Sequence, residues 1–143
     1  REDNFIFNYK KDDAKINSLE FTVDTYIETK KEIIAIELKS VRSNSGEGRG
    51  EKQKILYAKS ALKLLHPDKA IKYFVGFPFD PTSSAATKYD KERFFNYLIE
   101  FKKFFAPEEV LIADELWNFF SGKKDTMDSI LEVIRTTVLN IKG

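Results

Sequence analysis

The sequence has no cysteine and a single histidine among its 143 residues. The first absence excludes disulfides, zinc–thiolate sites and thiol nucleophiles, and the second excludes a multi-histidine metal cage. A resident metal must therefore be held by oxygen, which suits magnesium or manganese. No apolar run approaches the roughly 18 residues that a membrane-spanning helix needs, so no membrane partner is expected. Arg1-Glu2-Asp3 is charged where a signal peptide carries its apolar core, and a cytoplasmic location is expected. The chain begins without an initiator methionine, and the expectation is that upstream residues of a full-length protein precede it.

What is present is a 42% apolar share that includes thirteen phenylalanines. A chain of this length buries about two-thirds of its surface, so residues 1–143 are read as one domain that folds without a staple. The formal net charge is only +1, but it is unevenly spread. Residues 39–72 hold nine lysines or arginines against three acids, while the remainder holds fifteen against twenty. A polyanion is therefore steered to that segment.

Periodicity supplies the elements. Residues 1–17 read as an incomplete helix or an edge strand around Phe5, Ile6 and Phe7. Leu19, Phe21 and Val23 alternate with Glu20, Thr22 and Asp24, which predicts a half-buried strand. A polar turn at Lys30 and Lys31 leads to Ile33–Leu38, a nearly all-apolar run typical of a central strand covered on both faces. Residues 43–50, rich in glycine and serine, are expected to be a loop. Residues 51–66 form an amphipathic helix with Ile55, Ala58, Leu62 and Leu65 as its buried stripe and Lys52, Lys59 and Lys63 on the opposite face. Pro67 ends it. A third strand spans Ala70–Phe79, a turn-rich loop covers 80–90, and one helix is expected over Lys91–Phe105 with Phe94, Leu98, Phe101 and Phe105 inward. Val110–Ile112 is a short strand, Asp114 opens a helix closed by Gly122, and Asp125 caps a last helix to Lys142 whose apolar side is Ile130, Val133, Ile134, Thr137 and Ile141. The order implies an α/β (α+β) fold with a mixed central sheet flanked by helices.

Within this frame Glu37 and Lys39 lie on the same side of one strand, and pairing of the preceding strand brings Asp24 beside them. A buried glutamate and lysine need partners or a cation. The triplet acid-x-lysine also occurs at Asp13, Glu28 and Glu100, but only Glu37-Leu38-Lys39 ends a buried strand, with an aspartate upstream and a basic helix downstream. Two carboxylates can hold a divalent cation, with the Leu38 carbonyl as a further ligand, and a lysine at the same point can orient water and stabilise charge on a phosphate. Arg42 and Arg49 at the ends of the glycine-rich segment and Asn44 within it are candidate DNA contacts, joined by Lys52, Lys59 and Lys63 on the helix.

This D-x(12)-E-L-K arrangement, followed by a helix and a strand, resembles the core of the PD-(D/E)xK nucleases, with Val23 at the motif's proline. More narrowly, residues 35–62, the FPFDP segment and VLIADELWNFFSG are similar to type II restriction endonucleases of the TdeIII-type group. The resemblance covers roughly residues 18–135. It implies a restriction-endonuclease-like core, magnesium-dependent cleavage of double-stranded DNA at a short sequence, and a homodimer. It also implies catalytic roles for Asp24, Glu37 and Lys39, a phosphate or water contact for Gln53, and Glu2 or Glu20 as candidates for an upstream glutamate. The alternatives are a repair or junction-resolving nuclease on the same core and a DNA-binding module that does not cut.

Overall fold

In the computed structural model the described residues are 2–8, 17, 20–40 and 45–141. The elements run α1 (Glu2–Phe7), β1 (Thr25–Glu28), β2 (Glu32–Leu38), α2 (Ser45–Leu65), β3 (Ala70–Phe77), α3 (Lys91–Tyr97), α4 (Ile99–Lys102), a 3₁₀ turn (Pro107–Glu109), β4 (Val110–Ile112), α5 (Asp114–Ser121) and α6 (Thr126–Ile141). The strands form one sheet in the order β1-β2-β3-β4, antiparallel between β1 and β2 and parallel elsewhere. This is the mixed, helix-flanked α/β sheet that the periodicities predict.

Each parallel step is made by a helical crossover, because parallel neighbours need a long return connection. α2 returns the chain from the end of β2 to the start of β3. The odd-numbered residues of β2 and β3, from Ile33 and Ala35 to Tyr73, Val75 and Phe77, face Ile55, Ala58 and Leu62 of α2 and the aromatic cluster of α3 and α4. Phe77, Phe94, Phe101 and Phe105 pack there edge-on or stacked, with ring centres 4.3–6.4 Å apart. The even-numbered Ile34 and Ile36 face Leu116 of α5, together with Leu111. β2 is thus covered on both faces, as its apolar run requires.

Three boundaries and one helix face differ from the sequence expectation. The first strand starts at Thr25 rather than at Leu19, which lies outside the described residues, and it runs to Glu28 before the expected turn. Its position is set by the turn: the Thr29 hydroxyl accepts from the N–H groups of Lys31 and Glu32, which fixes the register Glu28↔Ile33 to Thr25↔Ile36. The expected loop over 43–50 is helical from Ser45 onward, and Gly48 is buried where an added side-chain carbon would stand 3.6 Å from Phe101 and Phe104. A glycine there lets the first turns of α2 approach the aromatic cluster. The expected single helix over 91–105 is interrupted at Leu98, whose backbone leaves the helical region, and α4 is re-aimed with Phe101 in the core. In α6 only Met127 is buried, Ile130 and Leu131 are half-buried, and Val133, Ile134 and Ile141 are exposed.

The helix faces of α2 also differ. Lys52 and Lys59 are buried and Leu65 is 72% exposed. Positions 52, 55, 59 and 62 recur at helical spacing, so these lysines share the side of Ile55 and Leu62 rather than opposing it. Their ammonium groups are neutralised there: Lys52 by Glu109 at 2.7 Å and Glu2 at 2.6 Å, beside the Phe105 ring, and Lys59 by Asp3, beside Phe7. These pairs fasten α1 and the 3₁₀ turn to α2. Asp114 and Gly122 bound α5 as expected, with Gly122 in the left-handed conformation at φ 67°.

Candidate functional site

The site is assembled at the C-terminal ends of the central parallel strands, where β2 stops. The backbone N–H of Lys39 donates to the Gly76 carbonyl of β3 at 2.8 Å, so the N–H of the preceding residue points toward β1. There Asp24, one position beyond the Thr25↔Ile36 pair, takes it: Leu38 N–H donates to Asp24 Oδ2 at 2.8 Å. A side-chain oxygen thus replaces the next step of the backbone ladder, which is why β1 begins only at Thr25 and why Asp24 is held opposite Glu37. The carboxylate remains exposed on its other side.

Glu37 is buried at 8% exposure and points to the α2 face. Its charge is compensated twice: Lys39 Nζ lies 3.5 Å from Oε1 and Lys54 Nζ lies 2.8 Å from Oε2. The Lys54 contact is an ion pair without hydrogen-bond alignment, so Oε2 has charge compensation but no directed donor. Lys39 is held more closely by Glu51 of α2, at 2.5 Å, and Lys54 also faces Glu51 at 3.8 Å. Burial on its own lowers the proton affinity of Lys39. The Glu51 and Glu37 carboxylates outweigh it, and the ammonium ends above its ordinary value.

The structure therefore brings Asp24, Glu37, Leu38 and Lys39 together and adds Glu51 and Lys54. The sequence did carry a signal for Glu51: positions 51, 55, 58 and 62 place an acid on the core face of α2 at its end nearest the site strand. Gln53 and Arg49 are exposed on the first turns of α2. Lys63 caps the other end of that helix, donating to the carbonyls of Pro67 and Lys69. Arg42 and Asn44 lie outside the described residues. Of the two upstream glutamates, Glu2 pairs with Lys52 and Glu20 is exposed.

Every donor at this point is oxygen, the chemistry a hard cation takes. Among the described residues no group of three or more aspartates, glutamates or histidines is gathered tightly enough to enclose an ion. Magnesium commonly binds through one or two carboxylates, completing its shell with water and substrate phosphate, and Asp24 with Glu37 fits that mode. A cleft of 510 Å³ lies elsewhere, along the edge of β3 that β4 leaves uncovered between Ile71 and Phe74, and none of Asp24, Glu37, Lys39 or Glu51 lines it.

A mixed sheet carrying an acid-x-lysine triplet at the end of a buried strand is the frame expected of a type II restriction endonuclease, and comparison with known sequences places the chain in that class. Residues 1–138 match the profile of the family described as type II restriction endonuclease, HinfI, and the chain belongs to that family. The match names HinfI where the sequence resemblance pointed to the TdeIII-type group. The chain is also 52% identical over 128 residues to the type II restriction enzyme MjaII of Methanocaldococcus jannaschii, an alignment that covers 88% of this chain and 35% of MjaII. The chain thus spans about a third of that relative's length. No solved structure matches it.

Proposed function

We propose that the chain carries the PD-(D/E)xK catalytic core of a type II restriction endonuclease, which hydrolyses phosphodiester bonds of double-stranded DNA at a short specific sequence. The observation that carries this reading is the junction of Asp24, Glu37 and Lys39 at one strand end, with Asp24 locked to the backbone of the triplet by the Leu38 N–H. Asp24 and Glu37, with the Leu38 carbonyl, would hold magnesium or manganese. When bound, that ion neutralises charge on the phosphate and acidifies water.

The protein's own groups do the remaining work. Lys39 supplies a cation beside the reacting phosphate, and its raised proton affinity keeps it charged at neutral pH. Lys54 compensates the charge of buried Glu37 from the α2 side. Glu51 holds the Lys39 ammonium until substrate draws it away. Arg49 and Gln53, exposed at the start of α2, are in reach of a backbone lying across this sheet end, and Arg42 and Asn44 of the adjoining segment are assigned to the same contact. Two copies, one per strand, would cut both strands.

The test is cleavage of plasmid DNA by the full-length protein with magnesium, against EDTA and Lys39→Ala controls. Discrete fragments that require both the metal and Lys39 support the reading. Intact plasmid under all metal conditions would sink it.

A further inference from the structure

Tyr73 of β3 is 5% exposed, and its hydroxyl is sealed from solvent without a hydrogen-bond partner. Buried phenols ordinarily find one. The sheet register sets Tyr73 opposite Ala35, one same-face step from the Glu37↔Val75 pair, so its ring lies beneath α2 on the side that Glu37 occupies. Two other buried oxygens of this layer also lack a hydrogen-bond donor, Glu37 Oε2 and Glu51 Oε1. Burial first, then the charges of Glu37, Glu51 and Asp24, hold the phenol proton on far above its ordinary range, which leaves a donor that does not ionise.

The ion pairs give this donor a task. Lys39 is bound to Glu51 at 2.5 Å, and for its ammonium to reach a phosphate it must leave that carboxylate. Glu51 is itself only 11% exposed and would lose its nearest donor at that moment. Only Lys54, 3.8 Å away, would then face this buried carboxylate, so the release of Lys39 is coupled to whatever donor replaces it.

We infer that Tyr73 is a positioning residue whose hydroxyl donates to Glu51 when Lys39 turns to the substrate, which makes the lysine available for cleavage. This rests on the nuclease reading above. No covalent step is added: one hydrogen-bond donor replaces another on the same carboxylate.

The experiment compares the full-length protein with Tyr73→Phe, Glu51→Gln and the double variant. It measures single-turnover cleavage, DNA affinity without divalent cation, and thermal unfolding. Tyr73→Phe should cut about tenfold more slowly, with unchanged DNA affinity and no loss of thermal stability, because the ring and its packing stay. The double variant should be no slower than Glu51→Gln alone. In ¹³C-tyrosine-labelled protein carrying Lys39→Met, which frees Glu51 of its lysine, the Tyr73 Cζ resonance should move when Glu51→Gln is added. A Tyr73→Phe variant that cuts at the wild-type rate, additive losses in the double variant, or an unmoved Tyr73 resonance would each overturn the inference. A wild-type protein that leaves DNA intact overturns the nuclease reading instead, and the resonance then decides whether Tyr73 and Glu51 communicate.

Discussion

Lys39 is the residue on which the proposed chemistry turns, and its surroundings say what its replacement should do. Lys39→Met keeps the aliphatic stem and removes the charge, so cleavage should fall by about 10²–10³-fold, as when one charge-stabilising donor is deleted from a reaction centre. DNA affinity should change little by comparison, since the ammonium is engaged with Glu51 and Glu37 before substrate arrives. Single-turnover rates set beside binding isotherms check this, and equal losses in both would assign Lys39 to binding alone. Asp24, Glu37 and Lys39 were legible in the sequence because a charged pair at the end of an apolar strand is costly and therefore conspicuous. Glu51 was not singled out, because it was counted as one acid within a basic segment; its meaning depends on which side of α2 faces the sheet. The same phase error placed Lys52 and Lys59 on the outside, where a lysine is ordinarily found.

At the level of elements, the position of the site depends on how closely β3 approaches β2. A side-chain carbon on Gly76 would stand 3.0 Å from both Leu38 and Leu116 and 3.1 Å from Ile36, and the Gly76 carbonyl holds the Lys39 N–H. Gly76→Ala should therefore cost about 1–3 kcal/mol through overpacking. It should also slow cleavage by displacing Leu38, which denaturant unfolding and cleavage rates test together. The loop after β3 is fixed by Asp80, whose side chain is fully buried. Its carboxylate accepts from the Thr82 hydroxyl and N–H, the Asp90 N–H and Arg93. Burial alone would raise its proton affinity, but these donors outweigh it and leave the group below its ordinary value of 3.8. A depressed carboxylate contributes stability that is present above the unfolded value and is lost as pH falls through the lower folded value. Wild type should accordingly lose stability below about pH 4. Asp80→Asn should be about 1–3 kcal/mol less stable at pH 7, with a difference that shrinks toward pH 2. Thermal unfolding across that range measures it, and a pH-independent difference would show that shape rather than charge holds the loop. The FPFDP segment was visible in the sequence as a motif, but the buried role of Asp80 was not, since its donors come from residues up to 13 positions away.

For the whole molecule the question is how much of the basic segment is available to DNA. Sequence counting gives residues 39–72 nine basic side chains, yet folding pairs six of them with carboxylates: Lys39, Lys52, Lys54, Lys59, Lys69 and Lys72. Lys63 is directed at helix-end carbonyls. A local charge excess read from the sequence therefore overstates the field that a phosphate backbone meets, because Glu2, Asp3, Glu28, Glu32 and Glu109, which neutralise Lys52, Lys59, Lys69 and Lys72, lie outside the segment, as does Glu37, which faces Lys39 and Lys54. Exposed Arg49 should behave differently from buried Lys52. If each phosphate contact lowers the slope of log K against log salt by about 0.9, Arg49→Ala should make that slope shallower by about one and leave unfolding unchanged. Lys52→Ala should leave the slope as it is and cost about 1–3 kcal/mol of stability, since Glu109 loses the partner that ties the 3₁₀ turn to α2. DNA-binding titrations at several salt concentrations, read beside denaturant curves for both variants, separate the two roles. The opposite pattern, with Lys52 carrying the salt dependence and Arg49 the stability, would mean that α2 presents its other face to the DNA.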